Sequence, residues 1–344
     1  MLHPSCRVAA LCLFTACCGF VAAADRPAVE SGRVRVIFVG DMMLDELPGQ
    51  AIDRGVDPFE PFSEIFQQAD LVVGNLECVI ATTGEPFDKK YTFRAHPRAI
   101  PVLKRHFNAL SLANNHSGDY GDAAFVEMLD LLQGQVGAFG GGRNLREAHR
   151  PFLVERNGLR IAILGYNEFK PRAFQAGDDS PGVAWSIDDR VLSDIRIARE
   201  EHRADIVIPF MHWGHEYEAQ PDERQATFGR AMIDAGAAAV IGAHPHVTQG
   251  AEVYRGQPIL HSLGNFVFNG FDEPEAKIGW IARLTINRAG VREWDTVVVR
   301  IDDEGLPHPD WSAAGPSGEW GSSQVIERVP ARETKMPVES GGMR

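Results

Sequence analysis

Cysteine is nearly absent from the body of this 344-residue chain. Of five, Cys6, Cys12, Cys17 and Cys18 fall within the first 24 residues, and only Cys78 lies beyond them. No internal disulfide can form after residue 24, so the fold must rest on its apolar core, which a chain of this length can supply. Positive charge is also short. Lys and Arg number 34 against 47 Asp and Glu, a formal charge of −13. That balance excludes the basic face on which nucleic-acid binders rely, and no nucleic-acid partner is expected. After residue 24 there is no apolar run of the roughly 20 residues that a spanning helix needs. Missing too are the Gly-rich phosphate signature of nucleotide-binding strands and the G-x-S-x-G elbow of serine hydrolases. Ser262 beside His261 does not replace that elbow, because neighbours on a strand point to opposite faces.

What is present begins with an address. Residues 1–24 carry Arg7, an apolar run to Phe20 and the small residues Ala22, Ala23 and Ala24. This is the pattern of a secretory signal peptide, so the chain is expected to be exported, to a periplasmic or extracellular place. An uncleaved segment acting as a membrane tether is the alternative. From residue 34 two kinds of segment alternate. Apolar, β-branched runs at 34–39, 71–73, 109–113, 160–164, 206–211, 238–241 and 259–263 read as strands buried on both faces. Amphipathic stretches at 58–68, 97–107, 119–133, 188–202 and 221–235 read as helices. Alternation of this kind predicts an α/β fold, a layered sandwich with mixed, largely parallel central sheets flanked by helices. Residues 280–287 and 293–301 predict a terminal hairpin around Arg288-Ala289-Gly290. The domain is expected over 33–302. Beyond it, 303–344 turns to Gly, Pro, Ser and charge and reads as a mostly disordered tail.

The chemistry lies where the strands end. The runs finish in Gly40-Asp41, Gly74-Asn75-Leu76-Glu77, Asn114-Asn115-His116, His212-Trp213-Gly214-His215, Gly242-Ala243-His244-Pro245-His246 and Gly264-Asn265. In open α/β sheets, ligands bind outside the carboxyl ends of the strands. If the strands are parallel, one edge collects Asp41, Glu77, Asn115, His116, His212, His244, His246 and Asn265. Carboxylates, imidazoles and amides form the mixed donor set that suits Mn, Zn or Fe. Any one of these residues is an ordinary polar group after a buried strand; the repetition carries the inference.

The series GDMML (40–44), GNLE (74–77), ANNH (113–116), HWG (212–214), GAHPH (242–246) and SLGNFVF (262–268) resembles the bacterial capsule-synthesis CapA (PGA_cap) family, which is linked to poly-γ-glutamate synthesis and related to the calcineurin-like metallophosphatases. The resemblance implies a metallophosphatase-like fold holding one or two divalent ions. By it, Asn115, His212 and His244 would hold one metal, Asp41 and His246 the other, with Glu77 between them. His116 and Asn115 would be the catalytic pair, His116 as a non-ligand acid. The metallophosphatase His two residues after the first Asp is Met43 here, and a thioether is a poor donor to a hard metal. Asp45 and His215 are the nearest candidates to replace it.

Two functions follow from that resemblance. One is an exported metal-dependent hydrolase acting on a phosphoester or a γ-linked polymer. The other is a non-catalytic accessory that binds an anionic capsule polymer and helps export it, alongside membrane-bound synthesis or export proteins. Asn265 and His215 are read as substrate-binding; Asn265 also suits a turn amide, and His215 a further ligand. Lys89, Lys90 and Arg94 form a small basic patch that meets an anionic substrate or solvent. Trp213 and Tyr217 wall the site or pack the core. Gly140-Gly141-Gly142 reads as a connector or as an anion cradle, and Cys78 as a buried small residue.

Overall fold

Strand Val34–Met42 sets the plan of the molecule, because both of its faces are apolar and both are covered. Val36 and Phe38 point into one core, Ile37 and Val39 into another, as the two-residue period of a strand dictates. The computed structural model describes Met1 and residues 32–170, 172–319 and 325–326. The expected signal peptide, Met1 apart, lies outside the described residues.

Val34–Met42 runs parallel to Leu71–Leu76, which is followed by Ala109–Ser111 and Gly137–Phe139, all parallel. On its other side it pairs antiparallel with Ile278–Asn287, and at its carboxyl end parallel with Asn265–Val267. A second sheet places Leu159–Asn167, Ile206–His212, Val240–Ala243 and Gln257–Leu260 side by side and parallel. Phe152–Arg156 and Ala251–Tyr254 flank it antiparallel.

The two sheets face each other across the core that holds Phe38, Val73, Ile161, Ile208, Phe210 and Ile241. Phe38 and Phe210 meet edge to face there at 5.8 Å, the arrangement the ring quadrupoles favour. The outer face of the first sheet is covered by Ala99–His106 and Gly121–Leu132. The outer face of the second is covered by Asp188–Glu200 and Glu223–Asp234, through Val191, Ile195, Phe228 and Met232. Helix, sheet, sheet and helix are the four layers of the expected α/β sandwich, with strands parallel at its centre and antiparallel at its margins.

Two local expectations need correction. The stretch 58–68 does not form one helix: a 3-10 turn at Glu60–Phe62 precedes a single α-turn at Ser63–Gln67. Pro61 lacks the N–H that a continuous helix begun at Pro58 would need there. The tail expected over 303–344 is folded in its first part. Pro307–Glu319 adds a 13-residue strand to the edge of the first sheet, antiparallel to Gly290–Ile301. Its Pro and Gly residues are tolerated because only one side of an edge strand must bond. Val325–Ile326 pairs with Ala251–Tyr254; the rest of 320–344 lies outside the described residues. Gly141–Gly142 is a short strand paired with Gly182–Val183 rather than a bare connector.

Candidate metal centre

Parallel order puts the carboxyl ends of both sheets on one rim, and close backbone approach then brings that rim together. A Cβ on Gly40 would lie 1.8 Å from the Gly264 carbonyl oxygen, and one on Gly242 1.9 Å from that of His261. Only glycine fits either position. Beyond Gly242 the chain bends sharply: His244 and His246 hold φ of 99° and 59°. Such strain in non-glycine residues persists only where the surroundings impose it.

Two groups of donors result, and Glu77 belongs to both. Glu77, His212 and His244 place one ligand atom each within 4.8 Å of one another, and so do Asp41, Glu77 and His246. Around His212 Nε2 lie Asn115 Oδ1 at 2.7 Å, His244 Nδ1 at 3.1 Å and Glu77 Oε1 at 3.4 Å. Donors sharing a cation at about 2.1 Å stand roughly 3.0–3.4 Å apart, so these spacings match the edges of a coordination polyhedron. In the other group His246 Nδ1 lies 3.7 Å from Asp41 Oδ2. His246 Nδ1 also donates to Asn265 Oδ1 at 2.9 Å. The Asn265 orientation is fixed, because its Nδ2 donates to the His246 and Ala276 carbonyls. The proton on Nδ1 leaves the Nε2 lone pair open, a common second interaction of metal-binding imidazoles.

Amides and the backbone hold the carboxylate of Asp41. Asn75 Nδ2 donates to Oδ1 at 2.7 Å and lies 3.2 Å from His212 Nδ1; the His244 N–H donates to Oδ2 at 3.0 Å. Asn75 is itself fixed by Asn114, whose Nδ2 donates to Asn75 Oδ1 and to the Leu76 carbonyl. Asn114 Oδ1 accepts the His116 N–H at 3.1 Å. His116 Nδ1 is 2.7 Å from Asp119 Oδ2, and Lys89 pairs with the other oxygen of Asp119.

The centre is electrostatically incomplete. Asp41, Glu77 and His244 are fully buried. Both carboxylate oxygens of Glu77, and His244 Nε2, have no hydrogen-bond partner. Burial, reinforced by the adjacent Asp41, pushes the Glu77 carboxyl well above its ordinary range; burial also raises Asp41, against the His246 charge and the Asn75 bond. Burial holds His212 and His244 far below theirs, and His246 and His116 below as well. Buried carboxylates beside neutral imidazoles with open lone pairs cost free energy that a bound cation offsets. The donor set therefore fits a divalent metal, with mixed O and N ligands suited to Mn, Zn or Fe.

The residues singled out in the sequence separate into three groups. Asp41, Glu77, Asn115, His212, His244 and His246 meet in the centre, with His116 and Asn265 bonded around it. Met43 is fully buried in the apolar layer, and its sulfur accepts the Asp45 N–H. Neither suggested replacement reaches the centre: Asp45 accepts the Arg94 N–H, and exposed His215 lies 3.6 Å from Asp222. Trp213 packs in the second sheet's outer core. Cys78 is buried, and burial pushes its thiol up, as suits a packing residue. Sequence reasoning passed over Asn75, Asn114 and Asp119, and also Glu216, which offers a carboxylate oxygen within 4.8 Å of ring nitrogens of His244 and His246. Asn75 and Asn114 sit in the quoted motifs, and their polarity at the end of a buried strand was the available signal. Phe169 was also missed; its ring centroid lies 3.9 Å from that of His244, and no spacing links the two.

Residues 35–270 match the family described as "Bacterial capsule synthesis protein PGA_cap", and the chain belongs to that family. It is 35% identical over 256 residues to the "PGA biosynthesis protein CapA" of Bacillus subtilis, covering 72% of this chain and 67% of that protein. It is 30% identical over 295 residues to the "Capsule biosynthesis protein CapA" of Bacillus anthracis, covering 83% and 71%. Among solved structures, the sulfate thiohydrolase SoxB from Thermus thermophilus aligns at TM-score 0.44 and 12% identity, over 81% of this chain and 44% of that one.

Proposed function

We propose that this member of the PGA_cap family is a metal-dependent hydrolase, exported from the cell, that acts on a phosphoester or a γ-linked polymer. The observation that carries the reading is the doubly unpartnered, fully buried carboxylate of Glu77 shared by two donor groups. Asn115, Glu77, His212 and His244 would hold one cation, and Asp41, Glu77 and His246 a second. Bound there, a divalent cation supplies Lewis acidity toward a phosphoryl or acyl oxygen and makes water acidic enough to attack near neutral pH.

The chain's own residues do the rest. Asp119 fixes the His116 ring through Nδ1 and favours its charged form against the burial that lowers it; once protonated, His116 would present the Nε2–H to the leaving group. Lys89 donates to the Asn115 carbonyl at 2.9 Å, which ties the loop before Phe93 to the residue that bonds His212. Asn265 orients His246. Lys90 and Tyr91, stacked at 4.7 Å, give the nearby surface a cation and an aromatic face for an anionic chain.

The test is metal analysis of the purified protein together with hydrolysis of a generic phosphodiester. Wild type should carry metal. His116→Ala should keep the metal and lose about 10²–10⁴-fold in rate. A wild type free of metal under metal-replete purification overturns the reading. A second reading, a non-catalytic accessory that grips polymer carboxylates, is favoured by the names of both relatives, which speak of biosynthesis and not of hydrolysis. Under it, His116→Ala keeps both metal and capsule phenotype.

A further inference from the structure

The position formed by Asp41, Glu77 and His246 is short of a donor. The resemblance places an imidazole where this chain has Met43, and Met43 is sealed in the apolar layer among residues such as Leu44, Phe59 and Phe266. We infer that Glu216 supplies the missing ligand, closing the centre from its open side. This rests on the metal-centre reading above and adds a residue to it.

Three observations carry the inference. First, a carboxylate oxygen of Glu216 and one ring nitrogen each of His244 and His246 lie within 4.8 Å of one another. Glu216 is thus the one exposed acid that groups with two of the centre's buried imidazoles among the described residues. Second, His244 uses Nδ1 toward His212 and leaves Nε2 buried without a partner. Third, the loop that carries Glu216 is built to hold it. Gly214 and Tyr217 take φ of 84° and 63°, and the Tyr217 N–H donates to the Pro245 carbonyl at 2.8 Å, between the two imidazoles.

A relay of buried amides anchors the same loop from below. Gln225 caps its own helix in a reciprocal pair with Asp222. Its Nε2 donates to Gln249 Oε1 at 2.8 Å, and Gln249 Nε2 donates to the carbonyls of Glu218 and Gln220. Gln225 and Gln249 are almost wholly buried. A loop so restrained presents its exposed carboxylate in a fixed place, which lowers the entropy of closing a coordination sphere. Because the donor is oxygen where an imidazole is implied, the position should favour a harder ion such as Mn over Zn.

The experiment titrates chelator-stripped full-length protein with Mn²⁺, following free Mn²⁺ by electron paramagnetic resonance and binding heat by calorimetry. The expected result is two equivalents in wild type. In Glu216→Gln, one equivalent should remain, with the affinity for the second reduced about 10–100-fold or more, the range seen when groups supporting a metal site are lost. Glu216→Asp should recover part of it, and circular dichroism should show all variants folded, since the residue is exposed. If Glu216→Gln binds both equivalents as wild type does, while His212→Ala loses one, the assignment of Glu216 is overturned and the centre stands. A wild type that binds one equivalent overturns the assignment too. A wild type that binds none overturns both.

Discussion

Asp57, Glu60 and His106 come as close together as Asp41, Glu77 and His246 do, with ligand atoms within 4.8 Å in both clusters. Everything else about them differs. Asp57 already receives Arg105 and His106, each at 2.8 Å, and Glu60 accepts the Ser63 hydroxyl. His106 packs against Phe59 and Phe66. This cluster is only partly buried and its charges are answered. At the centre the carboxylates are fully buried and two oxygens of one of them are unanswered. Proximity of acids and imidazoles is common on surfaces; burial with open donors is costly, and a fold keeps it only when something compensates.

The sharpest way to break this contrast is to neutralise one acid in each cluster. Glu77→Gln should lose bound metal and at least about a hundredfold in phosphodiester hydrolysis, going by the 10–100-fold that even supporting groups are worth. Asp57→Asn should keep both. Elemental analysis and a rate assay on the two variants decide it, and equal metal loss from both would erase the distinction.

The next effect is on stability. A ligand present at 100–1,000 times its Kd stabilises the fold by about 3–4 kcal/mol, so chelation should lower Tm by several degrees. His106→Ala will also lower Tm, through lost packing. Its Tm should nevertheless fall by the same further amount on chelation, the outcome expected if no ion binds beside Asp57.

A buried imidazole outside both clusters sharpens the comparison. His261 Nδ1 is unpartnered like His244 Nε2, but His261 stacks on Trp213 and belongs to neither donor group. Burial pushes His261 down to about 4 from an ordinary value of 6.5. Between those values the unfolded chain binds the proton and the folded chain does not. Stability should therefore fall as pH drops from 6.5 to about 4, by on the order of 3 kcal/mol. Denaturant unfolding of wild type and His261→Phe across that range should show the variant flatter. A parallel slope would return the effect to other groups.

The smallest effect belongs to a fully answered carboxylate. Although partial burial opposes it, four bonds from Thr82 and Thr83 hold half-buried Glu127 down to about 2. Its folded value is depressed, so its contribution is present above 4.5 and lost as pH falls toward 2. The difference in Tm between wild type and Glu127→Gln should shrink over that window, and a constant difference would contradict it.

The sequence showed more of the centre than of the frame around it. Asp41, Glu77, Asn115, His212, His244 and His246 stand directly after apolar strand runs, where a parallel sheet must deliver them to one rim. That the rim is shared by two sheets was not visible, because strands 34–42 and 206–212 are apolar on both faces and give no sign of which face meets which layer. The strand Pro307–Glu319 reads as tail in the sequence because its Pro and Gly residues speak against pairing, and in the fold most of its side chains are not buried. Its edge position, given by the neighbour Gly290–Ile301, removes that objection. Glu216 was passed over in favour of His215. The two are adjacent, and nothing in their spacing tells which one lies beside His244 and His246; in the fold it is Glu216, while His215 lies 3.6 Å from Asp222.

The most direct measurement is anomalous diffraction from crystals grown with Mn²⁺, collected on both sides of its absorption edge. The account predicts peaks bounded by Glu77 and its partners Asp41, Asn115, His212, His244 and His246, with none among Asp57, Glu60 and His106. No peak beside Glu77 in fully loaded crystals would contradict it.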